Sequence, residues 1–336
     1  MRAIRINAFG IENLQLGPYE PTGLAAHEVR LKVKAVSLNY RDLLMARGLY
    51  NPRQKLPLVP CSDAACEIVE VGSAVKRWRL GDRVSPLFAQ RWQSGEPTKD
   101  KLGSTLGGPL EGTLRDEMVC AEDAVVRVPA HMTDEEAATL PCAALTAWSA
   151  LVTQGHLSPG DTVLVEGTGG VSLAALQIAK LAGARVIVTS QSDEKLARAK
   201  ALGAFGGINY KTTPSWGRAA KELAGDAGVD HVVDVVGGSS LTEALKCVRP
   251  GGTVSTIGVL ASATSEVNLL SLLMQNVRMQ GVFVGHGESF AKMNAALEAG
   301  GMRPIVDKVF PIEDARGAFE HLASGSAFGK VVVRVA

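Results

Sequence analysis

The chain has 336 residues, 46% hydrophobic and 21% charged, with a formal net charge of +1. That length carries two ordinary domains and a sizeable core, and the charge balance argues against nucleic acid or an acidic membrane as the main partner. No apolar run approaches the ~20 residues that span a bilayer, and the first residues, MRAIRINAFG, lack the build of a secretory signal. The five cysteines, Cys61, Cys66, Cys120, Cys142 and Cys247, are odd in number and scattered, which suits a reduced cytoplasm.

Residues 1–125 read as β-rich and irregular. LKVKAVSLN (31–39) opens with alternating apolar and basic residues, and ACEIVEVGS (65–73) and GDRVSPL (81–87) are short strand-like runs closed by Gly, Ser or Pro. Residues 88–114 form a long polar stretch, expected to be a functional or mobile loop. After about residue 140 strands alternate with helices. DTVLVEG (161–167), ARVIVTSQ (184–191), GINY (207–210), VDHVVDVVGG (229–238), TVSTIGV (253–259) and MQGVFVG (279–285) are strands. Helices are expected over 170–183, 192–203, 213–225 and, with its turn, 240–252. Such alternation indicates a parallel sheet covered by helices. KVFPI (308–312) and KVVVRV (330–335) return to β-like patterning.

The first strand-to-helix turn reads GTGGVS (167–172). Free backbone N–H groups at a helix start attract phosphate, so Gly167, Thr168, Gly169, Gly170 and Val171 are expected to cradle a dinucleotide's pyrophosphate. Ser172 stands where a third glycine is usual. At the end of the second strand an NAD-specific fold carries Asp or Glu for the ribose 2′-hydroxyl. Here the strand ends VTSQSDEK, with Ser190 in the acidic position and Lys195 on the next helix. A hydroxyl and an ammonium favour a 2′-phosphate, and one charge-assisted contact is worth roughly 1.5–3 kcal/mol. NADPH is therefore expected over NADH. The competing reading leaves Lys195 solvated and lets Asp193 or Glu194 reach the ribose.

The combination of GDRV (81–84), GTGGVS, DEKLARAKALGA (193–204), VVDVVGG (232–238), RPGGTVSTIG (249–258) and GKVVV (329–333) resembles the medium-chain dehydrogenase/reductase superfamily. That superfamily includes the zinc alcohol dehydrogenases and the zinc-free quinone oxidoreductases. The resemblance implies an α/β chain. Its doubly wound Rossmann domain, residues 126–286, is inserted into a β-rich GroES-like catalytic domain, residues 1–125 and 287–336. It also implies that Tyr210 joins Ser190 and Lys195, and that Val236, Ile257, Gly258, Phe283 and Val284 line the nicotinamide side. Lys330 either reaches the cofactor or is a surface lysine. Relatives often join Rossmann sheets edge to edge, which here uses MQGVFVG and gives a homodimer.

Zinc-using members supply a cysteine, a histidine in Gly-His-Glu, and a second cysteine. This chain has Asn39, then Cys61-Ser62-Asp63, then Cys142, so one ligand in three survives and no metal is expected. Hydride transfer to an already polarised acceptor, a quinone or an α,β-unsaturated carbonyl, then fits best. By resemblance, NYRDLLMARGLY (39–50) supplies the catalytic groups. Asn39 is an amide donor to the substrate or the cofactor ribose and Tyr50 a proton donor or orienter, with Tyr40 and Asp42 lining the site or holding the loop. In the plainer reading Asn39 and Asp42 cap the following helix and Tyr50 packs. Arg41 and Trp92 also stand as candidates for the site, Trp92 equally as an exposed loop residue. The alternatives are an alcohol dehydrogenase with unrecognised metal ligands, and a nucleotide-binding sensor or structural protein with little catalysis.

Overall fold

A computed structural model describes residues 1–336 except Pro21 and Asp226. The chain divides into two compact units, Met1–Leu145 with Gly285–Ala336, and Thr146–Val284. The first break therefore falls after residue 145 rather than 125. The reason lies in the helix Asp134–Ala137 and the turn after it. Ala137 is fully buried, Glu135 pairs with Arg334 at 2.7 Å, and Cys142 N–H donates to Asp63, so this stretch is tied to the first unit.

The first unit starts with a two-stranded antiparallel sheet of β1 (Arg2–Ile6) and β2 (Leu14–Pro18). There follow β3 (Glu28–Ser37), β4 (Asp63–Val71), β5 (Arg83–Pro86), β6 (Glu117–Ala121) and β7 (Val125–Arg127). The second unit carries β8 (Thr162–Glu166), β9 (Arg185–Ser190), β10 (Gly206–Asn209), β11 (Val229–Asp234), β12 (Val248–Thr256) and β13 (Arg278–Gly281). The chain then returns to the first unit with β14 (Val306–Pro311) and β15 (Lys330–Arg334). These join a seven-stranded sheet in the order β14-β15-β3-β4-β5-β7, with β6 also on β3. Both ends of the chain thus build one core, packed by Leu31, Ile68, Met118, Val333 and Phe319.

The residues 88–114 pack inward at both ends, while 94–100 between them lie exposed. Phe88, Trp92, Leu106 and Leu114 are buried, and Arg41, itself buried, donates to the carbonyls of Leu106 (2.9 Å) and Gly108 (3.1 Å). Trp92 is likewise no exposed loop residue. Its indole N–H donates to Gly95 O at 2.8 Å. Backbone carbonyls that enter a core need donors, and a guanidinium supplies several in a fixed fork.

The second unit holds a parallel six-stranded sheet in the order β10-β9-β8-β11-β12-β13. β8 is buried along its whole length, as a central strand covered on both faces requires. The order reverses between β8 and β11, and ligands of such sheets bind beyond the strand ends at that point. The helix Gly170–Leu181 turns Leu173, Leu176, Ile178 and Ala179 into the core. Two expected boundaries shift. RPGG belongs to β12 rather than to a turn before it, and β13 stops at Gly281, leaving Phe283 and Val284 beyond the strand. β13 is an edge strand. Before it, the helix Leu269–Gln275 leaves Leu269, Leu270, Leu273 and Met274 more than 60% exposed. No helix among the described residues is long and apolar enough to cross a membrane.

Candidate active site

In the second unit, Gly167 has φ +76, the left-handed conformation that glycine adopts without strain. Gly169 is extended and precedes the helix Gly170–Leu181 without a side-chain cap. A Cβ on either glycine would meet nothing within 4 Å, so the turn opens onto free space with its helix-start N–H groups unclaimed by any cap. Ser172 is buried and donates to Glu166 O at 2.6 Å. Its hydroxyl thus pins the helix to the last carbonyl of β8, which a glycine there cannot do.

At the ends of β9 and β10 the structure brings Ser190 and Tyr210 together. Tyr210 N–H donates to Ser190 O at 3.1 Å. Ser190 Oγ accepts from Ser192 N–H at 3.2 Å, and Lys195 stands half-buried on the first turn of the helix Asp193–Ala201. Asp193 is engaged by Asn209 Nδ2 at 2.8 Å, whereas Glu194 is exposed. Burial pushes the Tyr210 phenol above its ordinary range. At the ends of β11 and β12, Asp234 Oδ1 accepts the N–H groups of Val236 (2.9 Å) and Gly237 (2.8 Å), and Ile257 N–H donates to Asp234 O (2.8 Å). A Cβ on Gly258 would lie 2.3 Å from Val235 O, so only glycine fits. Val236, Ile257 and Gly258 therefore converge at one strand end. Phe283 and Val284 follow β13, and Val284 has φ +47, a strained conformation for a β-branched residue.

The switch point itself holds two carboxyls that the motifs did not single out. Glu166 ends β8 and Asp234 ends β11, both at most 1% exposed. Ser240 Oγ donates to Glu166 Oε1 at 2.9 Å. Burial, then the neighbouring Asp234 charge, raises the Glu166 carboxyl well above its ordinary range. The signal was visible as an acid closing an apolar strand in both TVLVE and VDHVVD.

In the first unit the helix Tyr40–Ala46 is started by Asp42, whose Oδ2 accepts Asn39 N–H at 2.8 Å. Asp42 is fully buried, pushed up to about 6 by burial against the opposing pull of Arg41, so it holds the loop rather than lining a site. Asn39 and Asp42 together form a capping box at this helix start, as the plainer reading has it, and the Asn39 amide has further partners beyond the helix. Lys330 Nζ donates to Asn39 Oδ1 at 2.5 Å and to Leu38 O at 2.6 Å, while Asn39 Nδ2 points at Ser62 Oγ, 3.5 Å away. Ser62 donates to Asp63 Oδ1 at 2.7 Å, and Cys142 N–H donates to Asp63 Oδ2 at 3.1 Å. Burial raises the Asp63 carboxyl, opposed first by Lys330. Lys330 is 6% exposed and is not a surface lysine. Tyr40 and Tyr50 are exposed, and the Arg41 guanidinium lies 5.0 Å from the Tyr50 ring centroid.

The two families of residues answer differently to the groups such folds hold. The open glycine turn and the strand-end cluster fit a nicotinamide dinucleotide. The positions of the three zinc ligands do not fit zinc. Asn39 Oδ1 is taken by an ammonium and the Ser62 hydroxyl is committed to Asp63, which leaves Cys142 as the single zinc-ligand type of the three. Among the described residues no three His, Cys, Asp or Glu side chains are grouped to hold a metal ion.

Residues 25–130 match the alcohol dehydrogenase GroES-like domain, and residues 170–299 match the zinc-binding dehydrogenase domain. A zinc-type alcohol dehydrogenase-like protein of Schizosaccharomyces pombe is 43% identical over 97% of this chain and 96% of its own length. This chain belongs to the medium-chain dehydrogenase/reductase superfamily. The bovine quinone oxidoreductase-like protein 2 is 29% identical over 96% of this chain and 88% of its own. A crystal structure titled NAD-dependent alcohol dehydrogenase superposes with a TM-score of 0.90 at 32% identity, covering all of both chains. The family is one of oxidoreductases that bind a nicotinamide cofactor and act on small molecules. Although that domain family is called zinc-binding, the ligand positions described above depart from a zinc set in this chain.

Proposed function

We propose that the protein is an NADPH-dependent oxidoreductase that transfers hydride to a quinone or an α,β-unsaturated carbonyl without zinc. The observation that carries the reading is the buried Lys330 ammonium on Asn39, where a zinc ligand stands in zinc-using relatives. A bound nicotinamide supplies the hydride. The chain's own residues do the rest. Gly167, Thr168, Gly169, Gly170 and Val171 bind the pyrophosphate through backbone N–H groups. Ser190, Lys195 and Tyr210 hold the adenosine 2′-phosphate. Val236, Ile257, Gly258, Phe283 and Val284 orient the nicotinamide. Asn39 Nδ2 donates to the acceptor's carbonyl oxygen, which gains negative charge as hydride arrives, and the Tyr50 hydroxyl delivers a proton. Tyr40 lines the approach.

We further infer a cytoplasmic homodimer formed through the second unit. Five free cysteines suit a reducing compartment, and the β13 edge with its exposed Leu269–Met274 neighbours suits a covered surface. The zinc-type alcohol dehydrogenase-like relative favours a second reading, metal-dependent alcohol oxidation. NADPH oxidation by protein of measured metal content separates the two, with 1,4-benzoquinone, an enal and a simple aldehyde as acceptors. Metal-free turnover of quinone or enal is expected. Activity on the aldehyde alone, lost with chelator, overturns the proposal.

A further inference from the structure

We propose that Glu166 and Asp234 share one proton that clasps the glycine turn after β8 to the turn after β11, so that dinucleotide affinity falls as pH rises above 7. The inference rests on the cofactor reading above and adds a regulation to that site. β8 and β11 are parallel neighbours with Val165 opposite Val233, so the next residue of each strand, Glu166 and Asp234, leaves the sheet on the same side. The two side chains lie within hydrogen-bonding reach, and both are at most 1% exposed. Glu166 Oε2 and Asp234 Oδ2 receive no donor from the described residues. Two such oxygens repel one another when both groups are ionised, and a single proton between them turns repulsion into a hydrogen bond. The surroundings offer no substitute charge. The strands on either side present Thr189 and Thr256. From the helix Ser240–Cys247 come the Ser240 hydroxyl and the Cys247 thiol, which burial pushes up, while Glu243 and Lys246 pair with each other. From the helix Gly170–Leu181, Ser172 goes to the Glu166 carbonyl, and Lys180 in the last turn donates to Leu202 O.

The proton matters to the cofactor because both turns hang on the pair. Ser172 ties the helix start to Glu166, and Asp234 Oδ1 holds the N–H groups of Val236 and Gly237. The turn at 167–171 follows Glu166 directly, with its helix-start N–H groups open to an anion. Negative charge bound there tightens the pair's hold on its proton. By linkage, loss of the proton weakens the bound anion by the same factor. Buried glutamates titrate at about 8–9 in documented cases, which sets the pH range.

The test measures NADPH and NADH binding by quenching of protein fluorescence from pH 6.5 to 9.5, for the wild type and Glu166→Gln, with no acceptor present. Gln accepts from Ser240 and donates to Asp234 at every pH, so it is the reference in which the clasp does not titrate. The wild-type Kd, divided by that of the variant at the same pH, is expected to be level near pH 7. It should rise about fivefold or more by pH 9.5, with both dinucleotides. Agreement between the two removes the 2′-phosphate and Lys195 as the cause, since NADH has no such phosphate. A ratio that stays level to pH 9.5, or falls, overturns the proposal. The Glu166 side-chain carboxyl carbon, followed by NMR in the cofactor-free wild type, gives a readout that needs neither ligand nor the Gln variant. It should keep its protonated signal at pH 7. Asp234→Asn should lower its midpoint by about one pH unit or more, because Asn donates where a second carboxylate repelled. An ionised Glu166 at pH 7, or a midpoint unmoved by Asp234→Asn, overturns the shared proton. Absence of dinucleotide binding at every pH sinks the cofactor reading and the linkage with it, while the carboxyl signal still decides whether the proton is there.

Discussion

Replacing Glu166 with Gln isolates the energetics of the acid pair at the switch point. Asp234 Oδ1 accepts two backbone N–H groups, while Glu166 takes the Ser240 hydroxyl and a lesser pull from the Val236 N–H, and burial raises the Glu166 carboxyl, so the proton of the pair is placed on Glu166. Glu166 Oε2 and Asp234 Oδ2 are buried with no other hydrogen-bond partner, and one shared proton satisfies both. The folded state thus keeps a proton that the unfolded chain releases above its ordinary glutamate range. Between those two pKa values the native protein binds one more proton than the unfolded one. Stability therefore falls as pH rises, by about 1.4 kcal/mol per pH unit. Gln keeps the shape, the acceptor for Ser240 and a donor for Asp234, without the titration. Urea unfolding of the cofactor-free wild type and Glu166→Gln at pH 5.5 and 7.0 compares the two, and other titrating groups cancel in the difference. The variant should gain on the wild type as pH rises, by at most about 1.4 kcal/mol per pH unit and only up to the folded value of the pair. A gap that widens and then levels marks the folded pKa. A gap that does not change with pH, or that narrows as pH rises, refutes the shared proton.

Three other outcomes follow from the geometry. Lys195→Ala should weaken NADPH binding about tenfold to a hundredfold and NADH hardly at all, measured by quenching of protein fluorescence; equal losses would return Lys195 to the solvent. Gly258→Ala places a methyl 2.3 Å from Val235 O and should lower the melting temperature and cofactor affinity together, whereas an unchanged melting curve would mean the strand ends yield freely. Leu273→Asp with Met274→Asp should convert a dimer to a monomer by light scattering if that exposed face is the one covered, and a monomeric wild type would dispose of the dimer altogether.

Much of the second unit was legible from pattern. TVLVE, RVIVTS and VDHVVD are apolar runs closed by polar residues, and amphipathic helices with capping residues separate them, so β8, β9 and β11 fell within a residue or a few of expectation. The boundaries that moved have physical reasons. RPGG continues a strand because β12 pairs with β11 across a register shift that local turn preference does not reveal. Within the polar 88–114 stretch, residues 104–108 pack inward, because Arg41, more than sixty residues away in sequence, supplies the donors that the Leu106 and Gly108 carbonyls need.

Sequence by itself determined the family, the parallel sheet, the open glycine turn and the loss of the zinc ligand types, since each depends on local residue identity. Only the tertiary structure decided what those residues do to one another. Lys330 and Asn39 are 291 positions apart, and their contact exists because β15 returns to lie beside β3. Glu166 and Asp234 become a pair because the strand order reverses between β8 and β11. Side-chain charge and hydrogen-bond direction depend on neighbours in space, and topology sets those neighbours.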